Sequence, residues 1–447
     1  MSAESLATFP MGGIHPREGK ELTEKLAVEV MPAPKQVSLF LKQHVGAPCE
    51  PVVKKKDKVT EGDLVASTER LGSPIHAPFS GTVKGVQNAL HPMVGNAPAL
   101  VIAADKEEGE EKSYSQADWT QMSKEELLGK IKDAGVVGMG GAGFPAAVKL
   151  TIKPGVKLDT LILNGAECEP CLTSDHRLMV EYAKDIVEGA KIILKILEIK
   201  YCAIGIENNK PDAIEALKQA IAQSGSPQDG YNIVVKPLQV KYPQGSADQI
   251  MQSITGRARP SGVRSSAIGI IVQNVYTTKA IYDAVVYDKP LYERIVTFTG
   301  KGIERPANLM VKVGTPLSKI VDYLGGMTPD VAKVIVGGPM MGFAVSSLDV
   351  PVTKTTSGVL FLTKEETDVQ THYPCIRCGF CVSVCPMGLQ PNEVSVFVEA
   401  GRGAETAEFG VDDCFECGTC AYVCPAKRPL VQFMRLARAG IAASKKK

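Results

Sequence analysis

Between residues 123 and 290, segments with apolar positions three and four apart alternate with short, nearly all-apolar runs. SKEELLGKIKDAG, LMVEYAKDIVEGAKIILKIL, PDAIEALKQAIAQS, SADQIMQSITG and TTKAIYDAVVYD follow the helical period. LDTLILN, YCAIGIE, YNIVVKPL and AIGIIVQN have the length and composition of strands covered on both faces. The alternation predicts an α/β unit with a largely parallel sheet over 118–290. Residues 34–105 carry shorter runs (PVVKK, DKVTEGDLVA, GTVKGV, ALVIAA) punctuated by Gly and Pro, the spacing of a small sandwich of short strands. Residues 291–350 change to RIVTFTG, NLMVKVG, PLSKIVDYLGG and AKVIVGGPM, a compact mixed unit of strands around one helix, β-grasp-like in pattern. A separate C-terminal module is expected over 365–440, and 1–33 reads as an extension ahead of the sandwich. KEEGEEK, at 106–112, reads as a solvated linker.

A chain of 447 residues is long enough for two to four domains, and 44% apolar with 22% charged residues is ordinary for packed, soluble cores. Fifty Lys and Arg against forty-nine Asp and Glu leave a net charge of +1, so the whole chain has no bias toward nucleic acid. No apolar stretch reaches the ~18 to 20 residues a membrane span needs; IVEGAKIILKILEI is broken by Glu188, Lys191, Lys195 and Glu198. The opening MSAESLATFPMGGIHP has neither the basic nor the apolar part of an export signal. The twelve cysteines are therefore expected to meet reducing conditions, which favour metal or cluster ligation over disulfides.

Eight of them lie between 375 and 424. Cys375, Cys378, Cys381 and Cys385-Pro386 form C-x2-C-x2-C-x3-C-P, and Cys414, Cys417, Cys420 and Cys424-Pro425 repeat it. Three thiolates at this spacing wrap three corners of an iron–sulfur cube, and the fourth cysteine of each copy reaches the other cube. The expected sets are Cys375, Cys378, Cys381 with Cys424, and Cys414, Cys417, Cys420 with Cys385. Zinc prefers two separated C-x2-C pairs, to which the third in-line cysteine is surplus. A purely structural cube is the other reading, but one cube suffices as a staple, and two neighbours favour electron transfer.

GMGGAGFP, at 138–145, contains G-x-G-x-x-G, yet it follows a helical pattern rather than a strand, so it is not a dinucleotide fingerprint of the Rossmann kind. Its glycines still make a backbone open to phosphate and flat rings, with a helix start behind it for an anion. Three polar segments follow apolar runs, where open α/β sheets bind ligands: NGAECEPC at 164–171, KYPQG at 241–245 and QNVYTT at 273–278.

Together these segments resemble the FMN-bearing subunit of respiratory complex I, with its GRGGAGFP loop, NADE-x-EPG turn, Y-x-x-G segment and NNVET turn. The resemblance implies flavin contacts from Gly138, Gly140, Gly141, Gly143, Lys149, Asn164, Glu167, Tyr242, Gly245, Asn274 and Thr277. It places Glu169 and Phe144 on the nicotinamide side. Three positions depart from the pattern: Met139 replaces the loop arginine, Ala166 the aspartate of the turn, and Ser246 a glutamate, leaving fewer carboxylates to select NADH. Residues 34–105 resemble the biotinyl/lipoyl barrel sandwich, but the tip ERLGSPI has no lysine to modify, which implies a docking or scaffold role.

The order of GGIHP (12–16), lysine-free sandwich, GGAGFP loop, β-grasp-like (SLBB-like) unit and double cluster motif is similar to the C subunit of the Rnf complex, the membrane-bound ferredoxin:NAD oxidoreductase. Membership implies FMN, two [4Fe–4S] clusters and NAD(H) as substrate. It also implies other subunits of a membrane-embedded, ion-translocating complex as partners, an iron–sulfur protein among them, ferredoxin indirectly, and a peripheral place on the cytoplasmic face. Cobalamin reductases share the flavin and cluster parts, but their flavin loop lies near the start of the chain; here about 137 residues precede it. A soluble reductase of that type and a flavin-less cluster adaptor are the alternatives. Cys168 and Cys171 read as pocket or packing cysteines, and the six histidines show no paired ligand spacing. The basic C-terminus (Lys427, Arg428, Arg435, Arg438, Lys445, Lys446, Lys447) fits either an anionic surface or a solvated helix.

Overall fold

The computed structural model describes residues 6–105, 114–225, 228–367 and 371–444; the 106–112 linker and Lys445 to Lys447 lie outside the described residues. At the centre is a parallel four-stranded sheet in the order Asn232–Leu238, Tyr201–Glu207, Thr160–Asn164, Ile270–Asn274. Its middle strands are buried along nearly their whole length because helices cover both faces. Ala183–Leu197 and Val275–Tyr287 bury their apolar sides in the large core on one face. Ala247–Thr255 covers a smaller core, around Ile162, Ile250 and Val272, on the other. Lys124–Asp133 starts with a capping box from Ser123 and Glu126, which satisfies end groups that no helical bond can reach. It precedes the glycine loop, so the loop joins two helices, as its composition predicts. The second helix, Ala146–Leu150, is only five residues long, too short to offer the anion-binding helix start expected from the sequence.

The sandwich pairs two antiparallel sheets, Gln36–Phe40, Gly95–Ala104, Gly81–His91 and Lys58–Val59 on one side and Glu50–Pro51, Leu64–Ser67 and Ile75–His76 on the other. The third sheet has six strands: Val28–Val30, Ala307–Lys312, Glu293–Thr299, Gly358–Thr363, Val331–Val336 and Phe343–Val345. It exceeds the expected 291–350 unit at both ends. Val28–Val30, from the N-terminal extension, adds an edge strand, and GVLFLT at 358–363 runs through the middle, because an apolar run needs a two-sided burial site wherever it lies in the chain. The C-terminal module is helical, with Pro391–Glu399 and Leu430–Ser444 packed over Cys385, Val394 and Met434. In it Arg428 pairs with Glu399, and Arg435 and Arg438 pair with Glu416, so these three basic residues of the C-terminus are engaged within the module.

The end of the sandwich tip, at Ser73 and Ile75, is buried. Lys354, 1% exposed, donates to Pro74 O of the tip and to Gly135 O just before the glycine loop, each at 2.7 Å, and so joins three units. Burial holds its ammonium down to about 7, against an ordinary 10.5. Between those values the unfolded chain binds more protons than the folded one, so this group makes the fold more stable as pH rises. Thermal unfolding followed from pH 7 to 10 is expected to show a midpoint that climbs less in Lys354→Met than in the unaltered chain; equal slopes would assign the effect elsewhere.

Candidate functional site

The connections after Thr160–Asn164 and into Ile270–Asn274 run to opposite sides of the sheet, so the C-terminal ends of these neighbours border the switch point where such sheets bind ligands. Asn164 and Asn274 stand opposite each other in register. The Asn274 carboxamide oxygen caps helix Val275–Tyr287, accepting from the N–H groups of Tyr276 and Thr277 at 2.9 and 3.2 Å, a contact worth about 1 kcal/mol. Its Nδ2 donates to Asp175 Oδ2 at 2.7 Å. Thr277 Oγ1 accepts the Met139 N–H at 2.9 Å and fastens the glycine loop to the same helix. A Cβ at Gly140 would lie 3.1 Å from the Asn274 side chain, while one at Gly141 would meet nothing within 4 Å. The loop thus lies against Asn274 on one side and is open on the other. It closes on itself through Gly138 N–H to Phe144 O at 2.8 Å, and the sandwich supports it through Val45 N–H to Gly143 O at 3.2 Å.

Across the crevice Asn164 donates to Gly245 O at 2.7 Å and accepts from Ala166 N–H at 3.2 Å, while Gly245 N–H points to Cys168 Sγ at 3.2 Å. Glu167 caps the helix Ser174–Glu181, its carboxylate accepting from Asp175 N–H at 2.7 Å and His176 N–H at 3.0 Å. One connected network therefore runs from the glycine loop through Thr277, Asn274 and Asp175 to Glu167. Glu169 and Tyr242 are not in it. Glu169, expected on the nicotinamide side, is buried, which pushes its carboxyl up; Oε1 accepts from Met340 and Met341 N–H at 2.7 and 3.1 Å. Tyr242, 2% exposed, donates its hydroxyl to Cys417 O at 2.7 Å. Phe144 is half-buried beside the loop.

Lys149 and Gln273 offer unpaired donors to an anionic, hydrogen-bonding cofactor. The Lys149 ammonium has no hydrogen-bond or ion-pair partner among the described residues, and burial lowers it to about 8, as for a cation awaiting a phosphate. Gln273, 1% exposed at the strand end, leaves both amide atoms unpaired among the described residues. Asp175 is raised to about 7, first by burial and then by Glu167. The sequence marks the segment that Gln273 opens without singling out its side chain, and gives no sign of Asp175. The strand-end position of Gln273 was a usable signal, whereas Asp175 sits in an ordinary helix start.

In the C-terminal module Cys375, Cys378, Cys381 and Cys424 line one cavity, with Gly379, Pro425 and Arg428 around them. Cys414 and Cys420 each lie within electrostatic reach of Cys417 and Cys385. Cys424 thus lies beside the thiols of the first motif and Cys385 beside those of the second.

Four family models match in succession: the RnfC barrel sandwich hybrid domain over 8–107, the Nuo51 FMN-binding domain over 131–283, the SLBB domain over 295–344 and the 4Fe-4S dicluster domain over 374–427. The C subunit of the proton-translocating ferredoxin:NAD(+) oxidoreductase complex of Clostridium ljungdahlii is 44% identical over 427 residues, 95% of this chain and 92% of the relative. The chain belongs to the RnfC family. The C subunit of the ion-translocating oxidoreductase complex of Rhodobacter capsulatus is 42% identical, covering 96% of this chain and 83% of that one. Its counterpart in the Na(+)-translocating ferredoxin:NAD(+) oxidoreductase complex of Acetobacterium woodii is 40% identical, covering 98% of each. An NAD+-reducing [NiFe]-hydrogenase structure in the H2-reduced state shares the fold at 17% identity and a TM-score of 0.50, over 71% of this chain and 63% of that one. This RnfC-family chain therefore carries an FMN-binding and a two-cluster domain, and the corrinoid-reductase alternative is not favoured. Cys424→Ser is expected to abolish or shift the signal of the cube bound by Cys375, Cys378 and Cys381; loss of only the other cube's paramagnetic signal would contradict the crossed sets.

Proposed function

We propose that this chain is the nucleotide-side electron subunit of a membrane-bound, ion-translocating ferredoxin:NAD oxidoreductase, lying on the cytoplasmic face and held there by partner subunits. Among the described residues no helix is long and apolar enough to cross a membrane. Bound FMN supplies the conversion between two-electron hydride transfer with NAD(H) and one-electron transfer with the clusters. The chain's own groups position it. Gly138, Gly140, Gly141 and Gly143 shape the loop, which is open at Gly141, Lys149 offers an ammonium to the phosphate, and Asn164, Asn274 and Thr277 fix the two strand ends. Glu167 braces the same wall by capping the helix that starts at Ser174, Asp175 holds Asn274 in place, and Gly245 closes the turn beside Cys168.

The observation that carries the reading is the buried bond from Tyr242, at the crevice, to the carbonyl of the cluster cysteine Cys417. The second set (Cys385, Cys414, Cys417, Cys420) is thereby the one that faces the flavin crevice. The first set is the outward one: Cys378 is exposed, and Tyr373, Ile376 and Phe380 around it are 61%, 66% and 55% exposed. Exposed aromatic and aliphatic side chains around an exposed ligand suit docking of a partner's one-electron centre. The same series works in either direction.

Anaerobic purification of the full chain is expected to yield one FMN and roughly eight irons, with both chromophores bleached by NADH; clusters without flavin would leave only the adaptor reading. FMN affinity is expected to fall above about pH 8 as Lys149 loses its proton. Lys149→Met should bind about ten- to a hundred-fold more weakly, with that pH dependence gone, checked by equilibrium flavin fluorescence. Ile376→Ser with Phe380→Ser should leave NADH:ferricyanide turnover intact while slowing electron delivery to the membrane subunits about ten-fold or more; unchanged delivery places the exit elsewhere.

A further inference from the structure

The N-terminal segment containing GGIHP threads between the flavin crevice and the inner cluster. Gln239 N–H donates to Ala7 O at 3.0 Å, Thr8 Oγ1 donates to Gln244 Oε1 at 2.9 Å, and Lys241 Nζ donates to Phe9 O at 2.9 Å while lying over the Phe9 ring. Gly13 N–H then donates to Val384 O, one residue before the cluster cysteine Cys385, at 2.9 Å. Ile14 exchanges both backbone bonds with Tyr242, each 2.9 Å, and its buried side chain packs with Tyr242 and Cys417. Farther on, the buried Lys20 ammonium donates to the carbonyls of Glu167, Glu169 and Leu172, holding the turn that shapes the crevice.

The fit is close where the segment crosses. Gly12 and Gly13 have φ of +64° and +84°, and a Cβ on Gly12 would stand 2.7 Å from the carbonyl carbon and oxygen of Cys385, well inside ordinary contact. Only glycine lets the backbone pass that near to the cluster loop. We propose that residues 7–20 are a positioning strap, which bonds the cluster loop on one side and the Tyr242 strand end and flavin turn on the other, and so sets the separation between flavin and inner cluster. This rests on the electron path proposed above. Hydride exchange depends on the crevice alone, whereas transfer to the cluster falls steeply with distance, so loosening the strap slows the second step and spares the first.

The test uses Gly12→Ala in the full chain loaded with FMN and both clusters. Iron and FMN contents and the rate of flavin bleaching by NADH are expected to stay within about two-fold, while cluster bleaching slows about ten-fold or more. Unchanged cluster bleaching, or flavin and cluster rates falling together, would overturn the proposal. Should that variant fail to fold, Lys241→Met removes an anchor and leaves the strap backbone as it is; the same split, a few-fold in size, is expected, and no split overturns the idea. Amide exchange reads the strap independently of the electron path. In either variant Gly13, Ile14 and Tyr242 are expected to lose protection together, and unaltered protection would contradict the strap. If the unaltered chain is not bleached by NADH at all, the proposed function fails, and amide exchange still decides whether the strap exists.

Discussion

An electron passes between two carriers only where the protein holds them close, and here that demand falls on a buried tyrosine hydroxyl. Tyr242 lies in the loop between Asn232–Leu238 and Ala247–Thr255 of the α/β unit and reaches the backbone of Cys417 in a module more than 170 positions away. Burial, with Glu169 and Cys168 nearby, drives its hydroxyl far above the ordinary range, so it stays a neutral donor at any pH the protein meets. Ile14, Cys168, Met340 and Phe415 pack around the contact and exclude water from it. A polar pair in such surroundings is costly to break, because each partner would be left buried and unsatisfied.

The other units make that contact durable. The glycine loop has little regular structure of its own and depends on neighbours: Thr277 from the helix Val275–Tyr287, Val45 from the sandwich, and Lys354 just behind it. The sandwich, lacking a lysine at its tip, works as a buttress, with the end of its tip bonded to Lys354. The six-stranded sheet contributes the turn whose Met340 and Met341 amides hold Glu169, and Met340 O lies close to Gly418 of the second cluster motif. Each domain of this RnfC-family chain thus touches either the flavin crevice or the inner cluster.

What could be read from the sequence follows how local the constraint is. Each run of cluster cysteines is set by spacing within a dozen residues, so its chemistry is legible locally. The runs LDTLILN and AIGIIVQN announce buried parallel strands, and the polar residues ending them mark the crevice. Constraints between distant segments left no such trace. Lys20 sits in REGKE, within the N-terminal extension, and nothing local reveals the three carbonyls it meets. Phe9 and Ile14 are isolated apolar residues among Pro and Gly, without a period to betray the strap. Glu169, placed on the nicotinamide side by resemblance, is engaged by a turn contributed from 170 residues downstream. GVLFLT, past the expected end of the SLBB-like unit, proves to be one of its interior strands.

The most direct measurement of the account is the order in which the two cubes are reduced. Rapid mixing of the loaded chain with NADH, freeze-quenched and read by paramagnetic resonance, follows both, with each signal assigned from the cysteine variants. The inner cube, held by Cys385, Cys414, Cys417 and Cys420, should gain its electron first and the outer one after it. An outer cube that fills first, or at full rate in a chain lacking the inner one, would contradict a series running from the flavin crevice through Tyr242 and Cys417.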